Sequence, residues 1–366
     1  MSSLPAFTAD ASISASAATQ IAIVLLGTGV VGGALLRLLD TPAAARVRLV
    51  GAANSRHQLT AVAGLAGVCP RGPWPSGAAR DNGRLLAALD ASGAPFKVVV
   101  DATACSALAA QHVEWLARGY HVVTANKALA GGALSGWRDL QAVAGTGAHY
   151  GDSATVGAGL PVLSTLRRLR QCGDRLLTVE GVFSGSLSWL FNQYDGRRPF
   201  SALLREARAL GLTEPDPRAD LSGEDVARKL LIIARSAGFA LRGEEVQVDS
   251  LVPEELRTVD TENFLARLQA LDAPLAQRHA AARARGNVLR YLARINQRGL
   301  ARVGLVEVAA THPAARLSGT DNQFALTTTR YHAQPLVIQG PGAGPEVTAQ
   351  ALLGDVLALG NVRGVG

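Results

Sequence analysis

With 366 residues, 48% of them hydrophobic and 18% charged, the chain has enough apolar material for a sizeable core and for more than one domain. Its formal charge of +7 comes from scattered arginines, and only 5% of residues are aromatic. A nucleic-acid surface would need a basic patch interleaved with stacking aromatics, so none is expected; a groove for anionic small molecules suits the charge better. The longest apolar runs, such as IAIVLLG and VVVDATAC, fall well short of the roughly 18–20 residues of a membrane span, so no membrane partner is expected either.

Residues 1–19 are small and polar with no Lys or Arg, unlike a secretory signal or an Arg-rich transit peptide, and read as a loose tail. The three cysteines, Cys69, Cys105 and Cys172, are odd in number and far apart. That suits reduced thiols in a cytoplasmic compartment, with Cys105 expected as a small buried side chain rather than a nucleophile.

From Gln20 the stretch QIAIVLLGTGVVGGALLRLLD gives an apolar strand, then Gly27, Gly29 and Gly32 in G-x-G-x-x-G spacing, then a helix to about Leu39. This is the order of a dinucleotide-binding turn. The first glycine permits the turn, the second lets backbone approach a pyrophosphate, and the third lets helix pack on strand; Thr28, Val30 and Val31 complete the loop. A glycine-rich turn without a ligand is the bland alternative, and the strand and helix on either side weigh against it. The next strand, RVRLVGAAN, ends at Asn54, Ser55 and Arg56. A site preferring NAD would carry Asp or Glu there, whereas Arg56 would neutralise a 2′-phosphate, so NADP is favoured over NAD. FKVVVDATA and YHVVTANK are further strands around a helical stretch from Ser106 to Arg118, and Thr103, Thr124, Asn126 and Lys127 at their ends are candidates to line a nicotinamide crevice.

The texture changes at Tyr150. A glycine-rich turn opens a helix near Leu160 with Pro161 in its first turn. LLTVEGVFSGSLSWLF reads as strand, turn and helix, and a helix from Phe200 to about Leu210 ends at Gly211. In TEPDPRADLSGEDVARKLL, the S-x-x-D pattern of Ser222 and Asp225 predicts a helix starting at Ser222. Helical stepping places Glu224, Arg228 and Arg235 on a solvent face, and Asp225 and Lys229 beside Ile232 and Ile233. A lysine partly buried against an aspartate is either a usable proton donor or a structural ion pair, and spacing leaves both open. The chain from about Asp249 to Arg298 is helical in texture. LARVGLVEVAA and NQFALTTTRY follow as strands, expected in a sheet used for dimer pairing. No H-x-H or H-E-x-x-H spacing occurs, so His312 and His332 are expected as structural or surface histidines.

GTGVVG, HVVTANK, VGAGLPVL, FSGSLSWLF, GLTEPDPRADLSGEDVARKLLI and GPGAGPEVTA, in that order between Gln20 and Asp355, closely resemble the homoserine dehydrogenases. The likeness is strongest to the dehydrogenase half of bifunctional aspartate kinase/homoserine dehydrogenases. The resemblance implies an α/β fold: a Rossmann NADP-binding domain over 20–150, completed by about 336–366, and an α+β substrate-binding and dimerisation domain over 151–335. It implies a homodimer and an NADP- or NAD-dependent interconversion of L-aspartate 4-semialdehyde and L-homoserine, in threonine, methionine and isoleucine biosynthesis. Position by position, Lys229 matches the proton-donating lysine and Lys127 the lysine at the junction of cofactor and substrate. Glu214 and Asp225 match acids that hold the amino acid, Asp220 matches a further acid, and Gly211 and Gly344 match glycines near substrate and cofactor.

The same resemblance implies a sodium site built on the carbonyls of Val156, Ala158 and Leu160, but the family's carboxylate position is Ser153 here, with Asp152 one place earlier. No segment resembles the kinase or a C-terminal regulatory domain, so no threonine feedback through such a domain is expected. Two other readings remain at this stage: an oxidoreductase for another small aldehyde, and a non-catalytic nucleotide sensor, which retention of Lys127, Glu214, Asp225 and Lys229 disfavours.

Overall fold

The computed structural model describes residues 21–65 and 77–361; the expected tail and Cys69 lie outside them. In chain order the first half contains β1 (Ile21–Leu26), α1 (Val30–Leu39), β2 (Val47–Ala53), β3 (His57–Thr60), β4 (Ala78–Ala79), α2 (Asn82–Ala91) and β5 (Phe96–Asp101). It continues with α3 (Ser106–Ala109), α4 (His112–Ala117), β6 (His121–Thr124), α5 (Leu134–Val143) and β7 (Tyr150–Gly151). The second half contains α6 (Val162–Gln171), β8 (Leu176–Val182), α7 (Gly185–Gln193), α8 (Phe200–Ala209), α9 (Arg218–Leu221), α10 (Glu224–Ser236) and β9 (Val246–Val248). After these come α11 (Thr261–Ala266), α12 (Asp272–Ala284), β10 (Asn287–Asn296), β11 (Ala301–Ala309), β12 (Asp321–Thr328), β13 (Leu336–Pro341) and α13 (Pro345–Asn361).

The first sheet runs β4-β3-β2-β1-β5-β6-β7. Its β2, β1, β5, β6 and β7 are parallel, and β3 and β4 fold back antiparallel at the edge. Every residue of β1 is buried, as a strand covered by helices on both faces requires. One face packs on α2, α4 and α5 through Leu85, Leu89, Trp115, Leu116 and Leu140. On the other face, Leu35 of α1 and Ala349, Leu352 and Val356 of α13 cover Ile21, Ile23 and Leu25. The C-terminal helix therefore packs on the first sheet, beside α1.

The second sheet runs β13-β12-β8-β10-β11-β9. Its inner face, with Val179, Tyr291, Ala293, Phe324 and Leu326, packs under α6, α7, α8 and α10 in one apolar cluster. Phe183 stacks on Phe324 with ring centroids 4.5 Å apart.

Several expectations change. The stretch 249–298 is not helical throughout, because β10 lies within it, paired with β8 and β11. Its alternating partners are remote in sequence, and a half-buried alternation such as LRYLARI is visible only once they are in place. Leu336–Pro341 joins the second sheet through β12, so the return to the first half starts after Pro341 rather than at residue 336. The helix expected over 106–118 is broken into α3 and α4, and both Cys105 and Cys172 are exposed, so Cys105 is not a buried packing residue.

The helix expected from Ser222 begins instead at Glu224, with Gly223 as N-cap at φ 76° and no side-chain cap. A Cβ on Gly223 would stand 2.0 Å from the Tyr291 hydroxyl, so packing against β10 and a left-handed backbone both require glycine there. Ser222 closes α9, accepting the Glu224 N–H at 3.3 Å.

Arg235 is not on a solvent face. It is 2% exposed, and its guanidinium donates to the carbonyls of Leu241 and of Ala130, at 3.1 and 2.8 Å. The second of these ties α10 to the segment after β6. Burying a guanidinium is tolerated only when its donors are met. Arg235→Ala should therefore lower unfolding stability by roughly 2–4 kcal/mol, since it removes charge-assisted bonds and leaves buried carbonyls unpaired. A wild-type denaturant midpoint in that variant would contradict this account.

Candidate active site

The glycine turn after β1 has the geometry its spacing requires. Gly27 sits at φ 92°. A Cβ on Gly32 would lie 1.9 Å from the Gly27 carbonyl oxygen, whereas one on Gly29 would meet nothing within 4 Å. The first and third glycines are thus demanded by the fold, and the second leaves open space at the N-terminus of α1, where backbone N–H groups favour an anion. Val30 is 76% exposed at this lip. At the end of β2, Asn54 accepts the N–H groups of Arg56 and His57 at 2.8 and 2.7 Å, which leaves the Arg56 side chain exposed. The β3–β4 extension brings in Arg80, which donates to the Asn54 carbonyl at 3.2 Å and to Asn82 at 3.1 Å. Arg80 was not among the sequence candidates, because only strand pairing places it beside Arg56.

At the ends of β5 and β6 the organising group is Asp101, which sequence reading also missed. Its buried carboxylate accepts from Thr103 N–H and O–H at 2.9 and 2.7 Å and from Asn126 Nδ2 at 3.0 Å. Its remaining partner is His112 Nε2 at 3.0 Å, and His112 Nδ1 lies 3.3 Å from the Tyr150 hydroxyl. His112 thus bridges the Asp101 carboxylate and the Tyr150 hydroxyl through its two ring nitrogens. Asn126 also donates to the Cys105 carbonyl at 2.9 Å and accepts the Ala128 N–H at 3.0 Å. Together these bonds clamp the loop carrying Thr103 to the turn carrying Lys127. A lone aspartate in VVVDATA was the available signal.

Lys127 faces the second half of the molecule. Its Nζ lies 3.5 Å from Asp225 Oδ1, while Lys229 Nζ lies 2.7 Å from Asp225 Oδ2. Lys229 also donates to the Phe183 carbonyl at 2.8 Å. The pair at positions 225 and 229 is thus a helical i, i+4 ion pair, but it stands on a covered face: the Lys229 side chain is 12% exposed, against 48% for Asp225. Burial opposes ionisation of Asp225, yet Lys229 and then Lys127 outweigh it and hold the carboxyl at about 2. Desolvation lowers the Lys127 pKa, with Asp225 the largest influence in the opposite direction.

Asp220 is raised by burial, although it accepts from Ser186 Oγ at 2.7 Å and from the Glu214 N–H at 2.9 Å. Asp220 therefore pins the loop that presents the exposed Glu214. Gly211, at φ 69°, ends α8 in a Schellman arrangement, with Gly211 N–H to Arg208 O and Leu212 N–H to Ala207 O. Gly344 is exposed at φ 129°, ahead of α13. A separate concavity of about 570 Å³, lined by Arg218, Ser222, Glu224 and Val248 among others, includes neither lysine.

In the loop where the resemblance implies a sodium site, the side chains are engaged within the protein. Ser153 donates through N–H and Oγ to Asp355 at 2.9 and 2.7 Å, and the buried Asp152 carboxylate is taken by Arg167. The Leu160 carbonyl accepts the Val162 N–H at 2.8 Å, and Ala158 stands at φ 52°. Among the described residues, no group of three or more His, Cys, Asp or Glu side chains could hold a metal. His312 pairs with Glu180 at 2.9 Å, a structural role.

Profiles of two kinds match this chain: the homoserine dehydrogenase NAD-binding domain over residues 27–150 and the homoserine dehydrogenase domain over residues 161–357. The chain belongs to the homoserine dehydrogenase family. It is 40% identical to a maize chloroplastic bifunctional aspartokinase/homoserine dehydrogenase over 94% of its own length, spanning 39% of that protein. It is 36% identical to the homoserine dehydrogenase of Emericella nidulans, covering 91% of this chain and 96% of that one. A crystal structure of a Candida auris protein of unknown function superposes with a TM-score of 0.85 at 33% identity, over 93% of this chain and 98% of that one. The chain thus spans less than half the length of the bifunctional relatives it matches. Among the described residues no helix is long and apolar enough to cross a membrane.

The charges in the crevice give a direct test. Asp225 opposes the burial that lowers Lys127, so Asp225→Asn should leave desolvation and the positive charge of Lys229 unopposed. The Lys127 amine should then lose its proton at lower pH than in the wild type, read from the pH dependence of its modification by an amine-selective reagent. An unchanged profile would refute the coupling.

Proposed function

We propose that this protein is a homoserine dehydrogenase, interconverting L-aspartate 4-semialdehyde and L-homoserine with NADP(H). The observation that carries the reading is the Lys127–Asp225–Lys229 cluster, set where the carboxyl ends of β5 and β6 meet α10. When bound, the nicotinamide supplies a hydride to the aldehyde carbon. An ammonium group has three N–H donors. Asp225 and the Phe183 carbonyl take two of those on Lys229, leaving the third to protonate the carbonyl oxygen as the alcohol forms. In the reverse direction the neutral amine takes that proton back. Lys127 adds a second positive charge facing the developing alkoxide, and Asp225, half exposed, offers its carboxylate to a substrate ammonium together with the exposed Glu214.

The cofactor is assigned as NADP rather than NAD because exposed Arg56 stands after β2, where a site preferring NAD would carry Asp or Glu, and Arg80 is bonded beside it to the Asn54 carbonyl and the Arg56 carbonyl. Sodium has no part in the reaction as written. The three loop carbonyls lack a free carboxylate beside them, since Arg167 occupies Asp152 and Asp355 is bonded to Ser153. A cytoplasmic homodimer completes the reading. The side of the second sheet facing away from its helices carries Leu292, Val306 and Val308 among Glu180, Arg294 and Arg302, around a groove of about 470 Å³. Such a mixed apolar and charged face suits a second copy of the chain.

Oxidation of NADPH by L-aspartate 4-semialdehyde tests the activity, and no turnover by the wild type would sink it. Lys229→Ala should lower kcat by about 10²–10⁴-fold, the usual weight of a positioned acid, and full turnover by that variant would remove the assigned role. Arg56→Ala combined with Arg80→Ala should raise KM for NADPH while leaving KM for NADH unchanged. An equal cofactor preference before and after the change would refute the phosphate assignment.

A further inference from the structure

Asn322, at the start of β12, is fully buried, yet neither its carboxamide nitrogen nor its oxygen has a hydrogen-bond partner in the protein. Buried polar groups are nearly always satisfied, and one that is not calls for an explanation. Its position is informative. Alternation along β12 puts residue 322 on the same face as Phe324 and Leu326, which pack under the helices. Gln323 pairs with Val182 and Phe324 with Gly181 of β8, so Asn322 sits level with Phe183, whose carbonyl holds Lys229. On its other side it pairs with Gly340 of β13. A Cβ on Gly342 would stand 2.0 Å from Asn322 Nδ2. The amide therefore lies directly under the loop 340–344, which links the second sheet to the helix completing the first half, and at which Pro341, Ala343 and Gly344 are exposed.

If this side chain were only filler, an apolar residue of similar shape would serve better, because it would remove two buried polar atoms that have no partner. Its paired donor and acceptor match one group above others, another primary carboxamide, with which it can form two reciprocal hydrogen bonds. The nicotinamide ring carries such a group beside the carbon that supplies hydride; a substrate ammonium or carboxylate would satisfy only half of Asn322. We propose that Asn322 is a cofactor-binding residue that pairs with the nicotinamide carboxamide, a small lift of the glycine loop 340–344 bringing the two amides together. That pairing fixes which ring face points at the substrate. Gly342 is constrained for the same reason, since a side chain there would occupy the space of the Asn322 amide.

The inference rests on the NADP(H)-dependent reading above, and its test separates the two. Calorimetric binding of NADP⁺ is compared with that of its 3-acetylpyridine analogue, which keeps the carbonyl but lacks the amide N–H, so the readout needs no turnover. The wild type should bind NADP⁺ about tenfold more tightly than the analogue, the usual weight of a hydrogen bond lost inside a protein. Asn322→Leu should bind the two equally, with a Tm at or above that of the wild type. Asn322→Ala gives the same comparison should the leucine not be accommodated. Undiminished discrimination in the variants overturns the proposal, as does a lowered Tm combined with wild-type discrimination, which would mark a purely structural amide. Absence of aspartate semialdehyde turnover alongside loss of discrimination would overturn the substrate assignment and leave Asn322 as a cofactor residue.

Discussion

The arrangement of the two halves turns on one carboxylate. Lys127 emerges from the end of a parallel strand and Lys229 from a helix of the second half, so two ammonium groups meet across the junction. Without an anion between them their repulsion would oppose closure. Asp225 stands between them, one oxygen toward each, and stays ionised because both lysines outweigh its desolvation. Held by that one negative charge, the two ammonium groups stay close together and present the sign of charge needed where an alkoxide develops.

Around that carboxylate the protein uses backbone more than side chains to fix positions. The Phe183 carbonyl holds Lys229, the Ala130 carbonyl receives the buried Arg235, and the Glu214 amide is pinned by Asp220. Asp101 gathers four donors and thereby sets the two loops on either side of Lys127. The anchors on Lys229 and Arg235 join residues far apart in sequence, whereas those of Asp220 on Glu214 and of Asp101 on Thr103 are local. Arg48, Arg80, Asn192 and Ser236 each leave one buried polar atom unpartnered, whereas Asn322 leaves both the nitrogen and the oxygen of its amide so.

Much of the site was legible in the chain. The turn at Gly27, Gly29 and Gly32 and the apolar runs of β1 and β5 carry their conformations locally, since a steric demand and burial on both faces leave a mark on residue type. Asp225 and Lys229 share a helix, so their pairing follows from periodicity. What was misread shares one cause. Arg235 looked like a solvent residue because a helical wheel does not show that two carbonyls wait above it. Ser222 looked like a cap because the contact of Gly223 with Tyr291 is made by a strand nearly seventy residues away.

The sequence by itself thus determined the dinucleotide-binding turn, the α/β character and the helix bearing Asp225 and Lys229, because those depend on sterics and periodicity within short windows. Only the tertiary structure decided that Lys127 meets Asp225, that Arg80 joins Arg56, that Arg167 takes Asp152, and that Asn322 lies unpartnered beneath a glycine loop. Those are pairings between segments far apart in the chain, selected by strand order and by the need to satisfy buried charge, and no local pattern of residues encodes them.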